Sequence, residues 1–148
     1  MLRGEFAGDT GIPRVECAIW IPRFNLRHIV RFCLDTGATY SMLTAGDAGP
    51  MGVDYRLLSD ELDLATAGGS TSAFVEPAEL TFQDRDANTA YSYLIMMAIA
   101  APSVGSMRIP SLLGRDIINR WRIDYHPTAG ALTCEVITAD ETIDLGAT

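Results

Sequence analysis

The sequence predicts a single, mainly β domain with one short helix near its C-terminal end. The chain has 148 residues, which suits one domain with a sizeable core. No linker, repeat or low-complexity stretch divides it. Apolar and β-branched segments of strand length are separated by turns rich in glycine, proline and small polar residues. Only residues 115–122 indicate a helix, with Asp116 near a start where negative charge is favourable.

The first half of the domain should contain a hairpin that delivers an acidic residue, Asp35, at the end of its second strand. The flanking residues alternate imperfectly between polar and apolar side chains, as half-buried strands do. The predicted elements are a strand at 14–21, a turn at 22–26, a strand at 27–34, a return into the core at 40–44, and a loop or poor helical turn at 45–52, where three glycines and a proline occur.

The second half should contain a long hairpin, a buried strand and a final hairpin. The long hairpin has arms near 61–66 and 72–82, and the small residues 67–71 at its tip permit a tight turn. The remaining predicted elements are a turn at 83–88, a buried strand at 89–100, a loop at 101–108, a core strand at 112–113, the helix at 115–122, and a hairpin with arms at 122–125 and 131–137.

Residues 32–39 (Phe-Cys-Leu-Asp-Thr-Gly-Ala-Thr) are the most informative segment of the chain. A carboxylate at the end of a buried strand is costly to desolvate without partners. Thr36 places a hydroxyl beside it, and Gly37 permits a sharp turn and the close approach of another backbone. Carboxyl groups held in unusual surroundings usually perform acid–base chemistry, so Asp35 is the candidate catalytic residue.

This segment resembles the active-site loop of aspartic proteases, and a second segment strengthens the resemblance. Residues 109–118 (Ile-Pro-Ser-Leu-Leu-Gly-Arg-Asp-Ile-Ile) are similar to the hydrophobic-hydrophobic-Gly-Arg-Asp segment of retropepsin-like proteases. Asp-Thr-Gly alone is a weak pattern, whereas the two segments together are specific. The resemblance runs from about residue 14 to residue 136. It implies a retropepsin-like acid-protease subunit in which five residues support the catalytic loop: Leu112, Leu113, Gly114, Arg115 and Asp116.

The resemblance also implies an activity and an assembly. The activity is that of an aspartic endopeptidase acting on extended polypeptides, without metal or organic cofactor. Hydrolysis of this kind uses two carboxyl groups around one water, and one chain offers only Asp35. A twofold homodimer would pair Asp35 with its copy, because an isologous interface repeats one patch. In the family the motif threonine bonds across the dimer and the motif glycine offers its N–H to the carboxylates, which are the roles expected for Thr36 and Gly37, with Ala38 completing the loop.

Two further surfaces receive roles from the resemblance. The long hairpin corresponds to a flap that closes over bound peptide, and its expected substrate-binding residues are Ala67, Gly68, Gly69 and Ser70. Residues 132–137 correspond by position to a strand of the intersubunit sheet. The pockets should be apolar, because their candidate walls (Ala65, Ala67, Ala73, Leu112) carry no charge.

A second Asp-Thr-Gly, at residues 9–11, lacks the context of the first. It follows Ala7-Gly8 instead of an apolar strand, and it lies too close to Asp35 for a domain to fit between the two motifs. We therefore expect Asp9 to lie in a loop. The expected division of the chain is a flexible N-terminal segment at 1–13, a retropepsin-like protease domain at 14–137 and an acidic C-terminal tail at 138–148.

Composition limits the partners. The net charge of −8 argues against nucleic acid, because phosphate binding requires a basic patch. The longest apolar run, residues 94–101, is too short to span a bilayer, and residues 1–13 lack the apolar core of a secretory signal, so we expect a cytoplasmic protein. Cys17, Cys33 and Cys134 are odd in number and widely spaced, which favours neither disulfides nor a zinc site.

Several alternatives remain open at the level of sequence. Asp35 could simply cap a turn, and the long hairpin could be an ordinary surface hairpin. The same fold could serve as a non-catalytic dimeric peptide-binding module, since fold does not imply function. Retroviral members often carry an acidic residue where Thr39 stands, paired with the arginine of the Gly-Arg segment. Arg115 must therefore bond to backbone or to another acid.

Overall fold

The fold rests on a nine-stranded sheet and a three-stranded sheet, in a computed structural model that describes residues 1–66, 69–103 and 108–147. The strands of the described residues are β1 (Leu2–Arg3), β2 (Glu5–Phe6), β3 (Pro13–Ile21), β4 (Leu26–Leu34), β5 (Met42–Leu43), β6 (Glu61–Thr66), β7 (Gly69–Asp84), β8 (Thr89–Ala100), β9 (Leu112–Leu113), β10 (Trp121–His126), β11 (Ala131–Val136) and β12 (Glu141–Asp144). Their helices are α1 (Ala45–Met51) and α2 (Arg115–Ile118). The prediction of a mainly β chain is confirmed.

The β3–β4 hairpin carries the chain to Asp35 and supplies one wall of the core. The two strands pair along their whole length, from Arg14 opposite Cys33 to Ile21 opposite Leu26. Alternate residues of both strands are buried, namely Val15, Cys17, Ile19, Ile21, Val30 and Phe32. Because the apolar residues recur with a period of two, one face of the hairpin is committed to the core and the register is fixed.

Two very short strands connect the end of β4 to the rest of the large sheet. Strand β9 runs parallel to β4, with Leu112 opposite Cys33 and Leu113 opposite Leu34. Strand β5 lies antiparallel to β9 on one side and parallel to β8 on the other. The polypeptide on either side of residues 35–41 is therefore anchored in the same sheet, which holds that loop at both ends.

The β6–β7 hairpin projects beyond the sheet that carries it. Strand β8 pairs with β7 only up to Ala73, which lies opposite Ala100. From Ser72 outward the described ladder pairs β7 with β6 alone, ending at Gly69 opposite Thr66. Ala67 and Gly68, the first two residues of the predicted tip, lie outside the described residues. The predicted long hairpin is confirmed in its two arms.

The helices differ from the prediction of one short C-terminal helix. Residues 45–51 form α1, where we expected a loop or a poor helical turn, and Gly52 caps it with a φ of 93°. The helix is stabilised by burial of Ala45, Ala48 and Met51, because tertiary packing outweighs the low helix propensity of glycine and proline. Helix α2 ends at Ile118, earlier than expected, because Trp121 already begins β10. No helix of the described residues has the length and hydropathy required to cross a membrane.

Both ends of the chain add strands, although we expected a flexible segment at 1–13 and an acidic tail at 138–148. Strand β1 pairs with β11, and Leu2 is 1% exposed in the core. Strand β12 pairs with β8 over four residues. Each strand depends on long-range backbone pairing and on few apolar residues, so the local sequence carries little signal for either. Asp9 lies in the turn between β2 and β3, as expected.

Candidate active site

Asp35 is presented at the point where β4 ends, with its backbone and one carboxylate oxygen held in place. The Asp35 N–H donates to the carbonyl oxygen of Leu113 at 3.0 Å, which continues the β4–β9 pairing by one residue. The Gly37 N–H donates to Asp35 Oδ1 at 2.8 Å, and the Ala38 N–H donates to the Asp35 carbonyl oxygen at 3.2 Å. Asp35 is half-buried, and its Oδ2 has no hydrogen-bond partner in the part of the chain described. One oxygen is therefore positioned and the other is available.

Arg115 braces the loop that follows Asp35. Its Nη1 donates to the carbonyl oxygen of Thr36 at 2.8 Å, and its Nη2 donates to the hydroxyl of Thr39 at 3.1 Å. Its backbone N–H donates to the carbonyl oxygen of Ala38 at 2.8 Å. Of the two roles left open by the sequence, the structure shows bonding to backbone, and the Thr39 hydroxyl also accepts from Arg115. The Thr36 side chain is exposed, and its hydroxyl has no partner within the described residues.

Asp116 and Ser41 lock the same loop from the buried side. The Ser41 N–H and hydroxyl donate to the two carboxylate oxygens of Asp116, at 2.9 and 2.7 Å. The Ser41 Oγ also accepts from the Gly114 N–H at 3.0 Å. Ser41 is completely buried, so these bonds satisfy polar groups that have no access to water. Sequence reasoning missed Ser41, because a serine in a loop gives no signal of burial.

Gly114 is required by close approach of two backbones. A Cβ atom at this position would lie 2.6 Å from the Tyr40 carbonyl carbon and 3.0 Å from the Ala38 carbonyl oxygen. The two preceding residues form β9: Leu113 is fully buried, and Leu112 is half-buried between its strand partners. Of the five residues predicted to support the Asp35 loop, four contact it, namely Leu113, Gly114, Arg115 and Asp116, and Leu112 pairs with Cys33 and Met42 on either side of it.

A groove of about 640 Å³ lies along the β4 face that ends next to Asp35. Cys33, two residues before Asp35, lines one part of it. The complete lining is Ala7, Asp9, Thr10, Ile12, Arg14, Glu16, Ile29, Arg31, Cys33, Thr44, Gly46, Asp47, Arg108, Ile109 and Pro110. Charged and apolar residues are mixed, and none of the expected wall residues Ala65, Ala73 and Leu112 is included. The expectation of apolar walls therefore does not describe this groove.

The three cysteines differ in exposure, and the negative charge of Asp35 affects the pKa of Cys33. Burial raises the pKa of the Cys17 thiol, and burial raises the pKa of Cys134 to about 12. The pKa of Cys33 is also raised, first by burial and then by the nearby negative charge of Asp35. All three are free thiols.

We expect iodoacetamide to alkylate Cys33 first in the native protein, because the other two thiols are buried. Asp35→Asn should accelerate this reaction a few-fold at a pH below the thiol pKa. Removing the negative charge lowers the pKa of Cys33, so more thiolate is present. Mass spectrometry of timed samples measures the rate. Asp9→Asn is the matched control and should leave the rate unchanged; equal rates in wild type and Asp35→Asn would refute the electrostatic coupling.

Comparison with known proteins supports the fold. No protein-family model matches the chain, and no curated protein matches it. Among solved structures, a retropepsin-like aspartic protease from Rickettsia conorii matches with a TM-score of 0.51 at 21% sequence identity, covering 90% of this chain and 88% of that chain. The EIAV protease, solved in complex with an inhibitor, matches with a TM-score of 0.48 at 19% identity, covering 76% of this chain and 90% of that chain. The chain has a retropepsin-like fold.

Proposed function

We propose that this protein is an aspartic endopeptidase in which Asp35 and Asp35 of a second copy activate one water molecule. The observation that carries the proposal is the Asp35 loop itself. A single carboxylate is presented from the end of β4, with Gly37 N–H on one oxygen and the other oxygen without a partner in the described residues. Arg115 and Asp116 fix the surrounding backbone, so the carboxylate is preorganised for chemistry.

The chemistry requires two carboxyl groups in different protonation states. Two carboxylates held close together do not both ionise cheaply, so the pair shares one proton. The ionised member takes a proton from water as general base, and the protonated member donates to the carbonyl oxygen of the scissile peptide bond. Because the motif at residues 9–11 lies in the turn between β2 and β3, and does not follow an apolar strand as Asp35 does, we assign the second carboxyl group to another copy of the chain.

The projecting β6–β7 hairpin is the proposed flap. The root of the hairpin and the Asp35 loop are joined through β8, because Ala98 pairs with Val75 on one side and with Met42 on the other. A peptide between the hairpin and the Asp35 loop would lie extended and form main-chain hydrogen bonds, with pockets for alternate side chains. Gly69 and Ser70, the described part of the predicted tip, lie at the outer end of that hairpin.

Strand β11 has no free edge for a second copy of the chain, because both of its edges pair with strands of the same chain. We expected residues 132–137 to join an intersubunit sheet, but β11 lies between β1 and β10 and pairs with both. The outer edge of β10, from Trp121 to His126, pairs with no strand of the described residues. We therefore place the intersubunit contact along β10, next to the helix that carries Arg115 and Asp116. The exposed hydroxyl of Thr36 is the second proposed contact.

Activity should depend on protein concentration, because each copy carries half of the catalytic pair. We expect specific activity to fall on dilution through the dimer dissociation constant, and the backbone amides of residues 121–126 to exchange faster over the same range. Peptidase assays and hydrogen exchange across a dilution series measure both. The β3–β4 hairpin is the internal control, since its pairing is within one chain. Constant specific activity through a demonstrated dimer-to-monomer transition would exclude the shared pair.

The direct test of function is incubation of the purified chain with unfolded casein at mildly acidic pH. New amino termini, identified by mass spectrometry, would show endopeptidase activity. A peptide library then defines the residues accepted on both sides of the cut. Saturable binding of casein peptides without any cleavage would contradict the proposal and favour a peptide-binding module with the same fold.

A further inference from the structure

The base of the β6–β7 hairpin contacts one arginine, which bonds to β7 and to the turn that precedes β6. Arg23 lies in the turn at Pro22–Phe24, which joins β3 to β4. Its Nη1 donates to Glu76 Oε1 on β7, and its Nη2 donates to the carbonyl oxygen of Leu57, which precedes β6. The guanidinium also lies over the Phe24 ring, 4.6 Å from the centroid. One side chain therefore ties β7 and the segment that leads into β6 to the turn of another hairpin.

The contacts of Arg23 with Glu76 and Leu57 lie at the base from which the hairpin projects. The pairing of the two arms closes at the Val75 N–H, which donates to the Asp60 carbonyl oxygen at 2.8 Å, and Glu76 is the next residue. Beyond Ala73 the strand ladder of the described residues joins β7 to β6, and the Ala101 N–H also donates to the Ser72 carbonyl oxygen at 3.0 Å. Glu76 lies three residues inside the end of the β7–β8 ladder at Ala73, so the ion pair anchors the fixed base from which the hairpin projects.

Glu76 itself is unusual for a residue that only stabilises the fold. Its side chain is 2% exposed, and its Oε2 is buried without any hydrogen-bond partner. A buried carboxylate with one satisfied oxygen is a poor source of stability, because an apolar residue of similar size avoids the desolvation cost. The Arg23 side chain, by contrast, is 48% exposed, so one partner of the pair is solvated while the other is buried.

We propose that Arg23 and Glu76 are a positioning pair that sets how firmly the base of the β6–β7 hairpin, the proposed flap, is held. The inference rests on the proposed function. It adds that an ion pair outside the site controls how well substrate binds. Neither residue touches the Asp35 loop. Their loss acts on the closing of the hairpin over a bound peptide, while the geometry of Asp35, Gly37 and Arg115 stays unchanged. The effect falls on KM, with kcat largely preserved.

The test compares Arg23→Met and Glu76→Gln with a matched control, Arg56→Met. Arg56 precedes Leu57 in the same turn, but its side chain is 89% exposed and pairs with Asp54, so its loss removes one charge and leaves the Arg23 bonds to Glu76 and Leu57 in place. Amide hydrogen exchange is measured without substrate, and kcat and KM are measured with a cleavable peptide. Glu76→Gln keeps the shape of the side chain, so it reports on the pair even where Arg23→Met folds poorly.

We expect faster exchange at residues 61–66 and 69–75 in both test variants, with β10 and β11 unchanged, and KM raised roughly tenfold with kcat within about twofold of wild type. Arg23→Lys should give an intermediate result, because an ammonium group lacks the planar fork that reaches Glu76 and Leu57 together. Unchanged hairpin exchange overturns the proposal, and so does an equal increase in all elements, since the pair would then only support the fold. The exchange result is independent of catalysis, so a wild-type chain that cuts no peptide refutes the proposed function separately.

Discussion

Asp35→Asn should abolish hydrolysis of unfolded casein while leaving the fold and the dimer intact. The amide has nearly the shape of the carboxylate, and its oxygen can still accept the Gly37 N–H that now lies 2.8 Å from Oδ1. It cannot take a proton from water. Because the same residue supplies both members of the catalytic pair, we expect a loss of roughly 10⁴-fold in kcat, the upper range for removal of general acid–base catalysis.

Two controls accompany this variant. Asp9→Asn removes the same chemical group from the other Asp-Thr-Gly, which lies in a turn, and should keep wild-type activity. Excess Asp35→Asn chains mixed with wild type should suppress activity, because mixed dimers contain one carboxyl group and one amide. An active Asp35→Asn protein, or an inactive Asp9→Asn protein, would reverse the assignment of the catalytic residue.

Gly114→Ala should cause the second largest effect, a loss of both stability and activity. The added methyl carbon would lie 2.6 Å from the Tyr40 carbonyl carbon and 2.7 Å from its oxygen, and these are backbone atoms that cannot rotate away. We expect a loss of about 3 kcal/mol in the free energy of unfolding, at the upper end for overpacking. The displaced loop carries Asp35, so activity should fall by roughly 10²-fold, as for a misplacement of about 1 Å.

Urea denaturation and peptidase assays measure these effects, with Gly49→Ala as the matched control. Gly49 lies within α1, and nothing lies within 4 Å of the position its Cβ would occupy. That substitution should raise stability by up to about 1 kcal/mol, because alanine is the better helix former. A Gly114→Ala protein as stable as wild type would show that the two backbones can separate without cost, and that the loop is not seated by this contact.

The parts of the fold that the sequence predicts best are those with a local periodic pattern. The boundaries of β8 agree with the predicted strand at 89–100, and β3 and β4 differ from the prediction by one residue each, because alternation and flanking turns mark them. Asp35 and the Gly-Arg-Asp segment could be found for a similar reason, since their chemistry lies in consecutive residues.

What the sequence could not predict depends on contacts made at long range. Helix α1 contains two glycines and a proline, and only the burial of its apolar face by the sheet explains it. Ser41 acquires its role from Asp116, far along the chain, and Arg115 acquires its role from two oxygens of the Asp35 loop. The residues adjacent in sequence to Ser41 and Arg115 give no sign of these hydrogen bonds. The same holds for β1 and β12, whose partners are distant.

The pairing of β4 with β9 has a consequence for the order in which the protein becomes functional. The backbone N–H groups of Cys33 and Asp35 donate to the carbonyl oxygens of Ser111 and Leu113. Closing so long a loop is entropically costly, and such contacts form late in folding. A growing chain on the ribosome carries the complete Asp-Thr-Gly motif long before the strand that seats it has been synthesised. The proposed peptidase activity is therefore expected only after most of the domain has emerged from the ribosome.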